Sequence, residues 1–401
     1  MAKASILSIE PFAGGVPRLT RAIYDLLLQS GHTPQVVYTD AESTPTRRAE
    51  LLPYFLRHPL PHKTHKLGMD CLAIPRYPVS FWQSWQLPHW LARGALSAPI
   101  RIATSGAAHT ALGYLPSASR HPFVVWLATV YEDELLGRAD RDAWAAGILA
   151  DTALMSRLRQ LERQALDGAA RVWALSEYSA ERLVQFHPAV SVKMEVMPYP
   201  IDTAQLTPAT SPPTDPNELI FVSRLQDPRK NIPMLLHAFA QVQAQRPKLR
   251  LVLVGDTPTT SQTCLAEQLG IHDKIDFAGK LSEAALTQRL QNAALFVLPS
   301  HQEGLGIAAM EGMACGLPVV STRCGGPEAT ISASGAGILV ENDNPTAFAQ
   351  AILRFWQEPN LRPQMSENAV KYVAQTLSVP AVQAKMRASL SAIFPSYFSK
   401  N

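Results

Sequence analysis

Residues 295–320 read LFVLPSHQEGLGIAAMEGMACGLPVV, and they constrain the fold more than any other stretch. The apolar run 295–298 suits a buried strand. The turn Gly304-Leu305-Gly306 opens a helix, and a second apolar run at 318–320 suits the next strand. Strand, glycine turn and helix in that order belong to a doubly wound α/β sheet. The turn is also chemically specific. Its bare backbone N–H groups can approach an anion, and the helix N-terminus behind them adds partial positive charge. Glu303 sits in the loop and Glu311 inside the helix, so both can face one ligand. The stretch therefore offers donors for phosphate beside carboxylates that accept from hydroxyl groups.

The alternation extends over the chain. Residues 4–9 read as a buried strand, followed by the loop Glu10-Pro11-Phe12-Ala13-Gly14-Gly15. A helix opens near Pro17, with Leu19, Ile23, Leu26 and Leu27 at helical spacing. Residues 35–38 suit a second strand. Residues 53–100 hold many prolines, histidines and aromatics without a period, and are expected to be irregular connections with short helices. Trp82, Trp85 and Trp90 fall there and are assigned to packing. A strand is expected at Phe123–Leu127, a helix near 151–166, a strand at Arg171–Leu175, and then a helix capped by Ser176. The proline-rich segment 198–217 has linker composition. After it the alternation restarts at 219–222. Five parallel strands, at 250–254, 275–277, 295–298, 318–320 and 338–340, make a second doubly wound sheet. Residues 380–394 read as an amphipathic helix.

At 401 residues the chain fits two domains, and 47% hydrophobic with 17% charged residues describes a globular protein with ample core. A net charge of +3 suits small anions or weak peripheral membrane contact and is too small to argue for nucleic acid. The four cysteines form no C-x-x-C pair. The N-terminus lacks a long apolar stretch, and no run is long enough to span a bilayer, so a cytoplasmic setting is expected. His58, His62 and His65 are spaced like zinc ligands, but no carboxylate or thiolate completes a set, and no metal is expected. The first glycine loop is not G-x-G-x-x-G, which argues against a nicotinamide cofactor.

The ordered blocks FVSRLQDPRKN (221–231), LVLVGD (251–256), FAGKLSEAAL (277–286), LFVLPS (295–300), CGGPEAT (324–330) and GILVENDNP (337–345) surround the pair Glu303 and Glu311. Together they resemble the E-x7-E family of retaining glycosyltransferases, family four, also called glycosyl transferases group 1. The resemblance implies a GT-B fold, two Rossmann-like domains facing a cleft. On that plan residues 1–205 form the acceptor-side domain and 206–378 bind the nucleotide sugar. Residues 379–401 would carry a helix crossing back to the first domain. The implied reaction moves a hexosyl group from a nucleoside diphosphate sugar to a hydroxyl acceptor (glycan, lipid carrier or small molecule), with retention and no obligatory metal or other cofactor.

Charge grows on the leaving diphosphate, so cations held there lower the barrier. Arg224, at the end of a strand, and Lys230, before a helix, are the candidates, and the family places such residues on the diphosphate. By the same resemblance Glu303 accepts from hydroxyls of the transferred sugar and Glu311 from the ribose. Gly304, Leu305 and Gly306 face the phosphate. Gly279 and Lys280 lie by the base, and Gly14 and Gly15 near the diphosphate and acceptor. One departure stands out. Where the family carries a histidine after the strand at 123–127, this chain has Ala128-Thr129, leaving Thr129, Tyr131, Glu132 and Asp133 as alternatives. Competing readings are a sugar-nucleotide-binding protein without transfer activity, and an epimerase or oxidoreductase on the same scaffold.

Overall fold

The computed structural model describes residues 1–8, 15–40, 61–75, 93–137, 139, 143–210 and 217–398. The chain divides into two compact units, one of Met1–Pro198 with Val382–Asn401, the other of Tyr199–Ala381.

The first unit is built on eight strands: β1 (Lys3–Ser8), β2 (Thr33–Asp40), β3 (His62–Lys66), β4 (Met69–Pro75), β5 (Ile100–Ser105), β6 (Val124–Leu127), β7 (Arg171–Ala174) and β8 (Met194–Val196). Their order is β3-β4-β2-β1-β5-β6-β7-β8, parallel except for the β3–β4 pair. The central strands are apolar and buried on both faces, as parallel strands covered by helices must be. Pro17 lies in the first turn of helix Val16–Gln29. Ser176 caps Glu177–Phe186 by accepting from the N–H of Ser179.

Two features depart from the sequence reading. Residues 62–75 form a β-hairpin rather than an irregular connection, turning at Leu67 (φ 51°) and Gly68 (φ 72°). A Leu-Gly turn lacks the usual asparagine or aspartate signal, and the exposed strand HKTHK has no apolar alternation to read. β5 also escaped notice because Arg101 interrupts its apolar run. That side chain is fully buried, its guanidinium over the rings of Tyr114 (5.1 Å) and Phe123 (5.8 Å), and burial pulls its pKa down to about 10. The tryptophans at 82, 85 and 90, and His58, lie outside the described residues.

The second unit holds six parallel strands: β9 (Glu218–Ser223), β10 (Arg250–Gly255), β11 (Ile275–Gly279), β12 (Leu295–Leu298), β13 (Val319–Thr322) and β14 (Gly337–Val340), in the order β11-β10-β9-β12-β13-β14. The restart strand β9 thus joins the five expected strands, at the centre. The segment assigned to a linker is packed at its start: Tyr199 and Ile201 are buried, and Ile201 N–H donates to Leu377 O (2.7 Å). The unit boundary accordingly falls at Pro198, earlier than the expected residue 205.

The C-terminal helix spans Val379–Ile393, and residues from Val382 belong to the first unit. Met386 and Leu390 are buried there. Trp173 Nε1–H donates to Ser389 Oγ (2.9 Å), whose hydroxyl donates to Glu195 (2.6 Å).

Candidate active site

In the second unit the strand order reverses at β9, which lies between β10 and β12. Loops leaving the carboxyl ends of two strands that diverge in this way form a crevice where such sheets take ligands. The loop after β9 carries Arg224 and Lys230, and the loop after β12 carries Glu303. The fold joins them: Lys230 Nζ donates to Glu303 Oε1 at 2.6 Å, both side chains only 12% exposed. Ser300 Oγ donates to the same oxygen (2.8 Å). Two residues expected to act separately are therefore one ion pair.

Local structure explains how Lys230 gets there. Asp227, fully buried, accepts from Arg229 N–H and caps the short turn Pro228–Lys230. Asn231 follows in the left-handed region (φ 49°), and its amide donates to Asp343 (3.1 Å). The chain then enters helix Ile232–Gln245. Arg229 holds Asp227 with two nitrogens, whereas Arg224 reaches it through one at 3.2 Å and stays 69% exposed. The sequence reading gave Asp227 and Ser300 no role and Asn231 only a place near a helix start; the Asp-Pro pair at 227–228 is a turn signal that marks Asp227.

The turn at 304–306 is shaped by a close approach. Gly306, left-handed at φ 73°, precedes helix Ile307–Ala314, which has no side-chain cap. Helix Gly326–Ser334 starts beside it, and a Cβ on Gly326 would lie 2.1 Å from Gly304 O. Glu303 N–H donates to Cys324 O (2.7 Å) and Gly326 N–H to Glu303 O (2.9 Å), locking the two loops together. The second helix is capped internally by Glu328, which accepts from Gly325 N–H. Anion-binding capacity is thus concentrated on the first helix. Glu311 lies one turn inside that helix and is 8% exposed; its charge, behind burial, helps push the Cys315 thiol up to about 12. Gly279 ends β11 at φ 66°, followed by exposed Lys280.

In the first unit, Gly14 lies outside the described residues. Gly15 is the N-cap of helix Val16–Gln29 at φ −78°, a conformation open to any residue. The structure does not bring the four alternatives at the carboxyl end of β6 to equal standing. Glu132 is held by Arg159 through two bonds (2.8 and 2.5 Å), and Asp133 by Arg182 through two (2.8 and 2.6 Å). Thr129 and Tyr131 are half-buried. His65 Nδ1 meets Asp70 at 3.2 Å, and among the described residues no group of three or more potential metal ligands occurs.

A family model described as glycosyl transferases group 1 matches residues 202–372, which contain Arg224, Lys230, Glu303 and Glu311. That segment is similar to the group 1 glycosyltransferases. Similar curated proteins include D-inositol 3-phosphate glycosyltransferase 2 of Catenulispora acidiphila, 30% identical over 53% of this chain and 54% of that one. The D-inositol 3-phosphate glycosyltransferase of Acidothermus cellulolyticus is 31% identical over 48% and 47%. The chain spans about half the length of the curated relatives it matches. Sucrose-phosphate synthase from Thermosynechococcus elongatus superposes with a TM-score of 0.76 at 19% identity, covering 99% of this chain and all of that one. Anabaena HepE, solved in complex with UDP-glucose, gives 0.69 at 18% identity over 98% and 100%. These likenesses give the whole chain the GT-B fold. The group 1 segment coincides with the unit that holds the Lys230–Glu303 pair. Among the described residues no helix is long and apolar enough to cross a membrane.

Proposed function

We propose that the protein is a retaining glycosyltransferase that moves a hexosyl group from a nucleoside diphosphate sugar to a hydroxyl acceptor. The observation that carries this reading is the buried contact of Lys230 with Glu303 (2.6 Å), set at the strand-order reversal beside a helix N-terminus that no side chain caps. The diphosphate lies against that N-terminus, and Lys230 and Arg224 neutralise the charge that develops as the glycosidic C–O bond breaks. Glu303 accepts from sugar hydroxyls, Glu311 from the ribose, and Gly279 and Lys280 border the base. The acceptor oxygen bonds to the anomeric carbon on the face the phosphate leaves, and its proton passes to the departing phosphate oxygen. Arg224, Lys230 and the helix supply the positive charge, so the donor needs no metal.

Uridine diphosphate is the first donor nucleotide to try, since HepE was solved with UDP-glucose. The decisive measurement is a thermal-shift series with UDP, GDP, ADP and TDP, each with and without magnesium. One nucleotide raises the melting temperature in the absence of metal. A rise that needs magnesium refutes the charge assignment, and no rise with any of them refutes the donor site. The Ala128-Thr129 substitution favours one second reading, a binding protein that holds a sugar nucleotide without transferring it. Nucleotide binding with neither donor hydrolysis nor transfer decides for that reading.

A further inference from the structure

In the first unit, the loops after β5 and β6 meet on one buried carboxyl group. Glu162 lies on helix Thr152–Gly168 and is 1% exposed. Its Oε1 accepts from the N–H of Ala108 (3.3 Å) and of Tyr131 (3.2 Å), and its Oε2 lies 3.4 Å from the latter nitrogen. Ala108 follows β5, and Tyr131 follows β6 as the first residue of helix Tyr131–Leu136. The same long helix grips this corner one turn earlier. Its Leu158 carbonyl meets His109 Nε2 at 2.9 Å, and the His109 ring packs edge-on against Tyr131 at 4.8 Å. The strand order of this unit reverses at β1, between β2 and β5, so these loops border its ligand-binding end.

We propose that Glu162 is a positioning residue for the substrate-facing loops of the first unit. It fixes the loops after β5 and β6 together and so sets where Thr129 and Tyr131 meet substrate. The proposal rests on the transferase reading above. The charged surroundings determine the state of the clamp. Burial, with the negative charges of Glu134 and Asp133, raises the Glu162 carboxyl to about 8. Arg182 pairs with Asp133 and Arg159 with Glu132, while burial keeps His109 neutral by lowering it to about 4. Glu162 is therefore a neutral acid at pH 7. Ionisation strengthens the two N–H bonds, but burial, the larger effect, penalises the bare charge beside Glu134 and Asp133, so the ionised corner opens to water and the loops loosen.

The test compares Glu162→Gln with Glu162→Ala. Glutamine keeps an accepting oxygen and cannot ionise. Its turnover at pH 7 stays within about twofold of wild type and persists above pH 8, where wild type declines about tenfold per pH unit. Alanine removes the clamp: the KM for acceptor rises about tenfold while nucleotide affinity, a property of the second unit, is unchanged. Identical alkaline limbs for wild type and Glu162→Gln, or an unchanged acceptor KM in Glu162→Ala, overturn the proposal. Amide hydrogen exchange at Ala108 and Tyr131 reads the clamp without any activity. Faster exchange in the alanine variant alone supports it, and unaltered exchange overturns it. Altered exchange in a protein that transfers no sugar sinks the transferase reading and leaves the clamp standing.

Discussion

In the proposed site, the contact of Lys230 with Glu303 bears on both stability and chemistry. Each side chain is largely withdrawn from water, a cost offset by their mutual bond and by the Ser300 hydroxyl. Removing one partner strands the other. Lys230→Ala is expected to lower stability by about 3–5 kcal/mol and turnover by roughly 100- to 1,000-fold. The second effect has to be separated from the first. Adding Glu303→Gln to Lys230→Ala removes the stranded charge, so urea melts recover toward wild type while turnover stays low. Recovery of turnover in that double variant removes Lys230 from the leaving-group role. Arg224 behaves differently because it is exposed and singly bonded. Arg224→Ala lowers turnover with a stability change below about 1 kcal/mol, since exposed pairs contribute little.

At the scale of elements, two helices start side by side because their loops are glycine where the backbones touch. Gly326→Ala forces a Cβ to within 2.1 Å of Gly304 O and 2.6 Å of Leu305 N, both backbone atoms. The turn over the proposed phosphate site must shift. Nucleotide affinity is expected to fall about tenfold or more, measured by calorimetry. Retained affinity shows that the phosphate lies elsewhere. This glycine pair also marks what a sequence discloses. The runs 295–298 and 251–254 are apolar and short, so their strands were readable from pattern alone, and Ser176 and Pro17 announced their helices. The hairpin at 62–75 was not readable, because its outer strand is polar on both faces. Arg101 hid β5, since the Tyr114 and Phe123 rings and the carbonyls of Tyr114 and Pro122 make a buried guanidinium tolerable there. At the site, Glu303 and Lys230 were legible as residue types. Their direct bond was not, because it depends on two loops brought together by strands far apart in sequence.

For the whole molecule, each compact unit has its own core and its own source of environmental sensitivity. In the first unit the folded protein retains the Glu162 proton up to about pH 8, whereas the unfolded chain releases it near 4.5. Stability from this group is therefore complete below 4.5 and is lost as pH rises through 8. His109 has the opposite sign: lowered to about 4 from 6.5, it favours the folded state above 6.5, and that advantage disappears as pH falls toward 4. Between 4.5 and 6.5 the two slopes oppose one another, and from 6.5 to 8 only the loss from Glu162 remains, at most about 1.4 kcal/mol per pH unit. Thermal melts should show wild type weakening from pH 6.5 to 8. Glu162→Gln should stay level there and instead rise from pH 4.5 to 6.5, where His109 and His32, both lowered by burial, favour the folded state. On the proposed donor site, nucleotide binds the folded second unit, so the gain from a saturating dose is expected to be the same in both proteins at every pH of the series. Parallel pH curves for wild type and Glu162→Gln mean that Glu162 is already ionised in the folded protein, and the buried acid is not the source of the alkaline weakening.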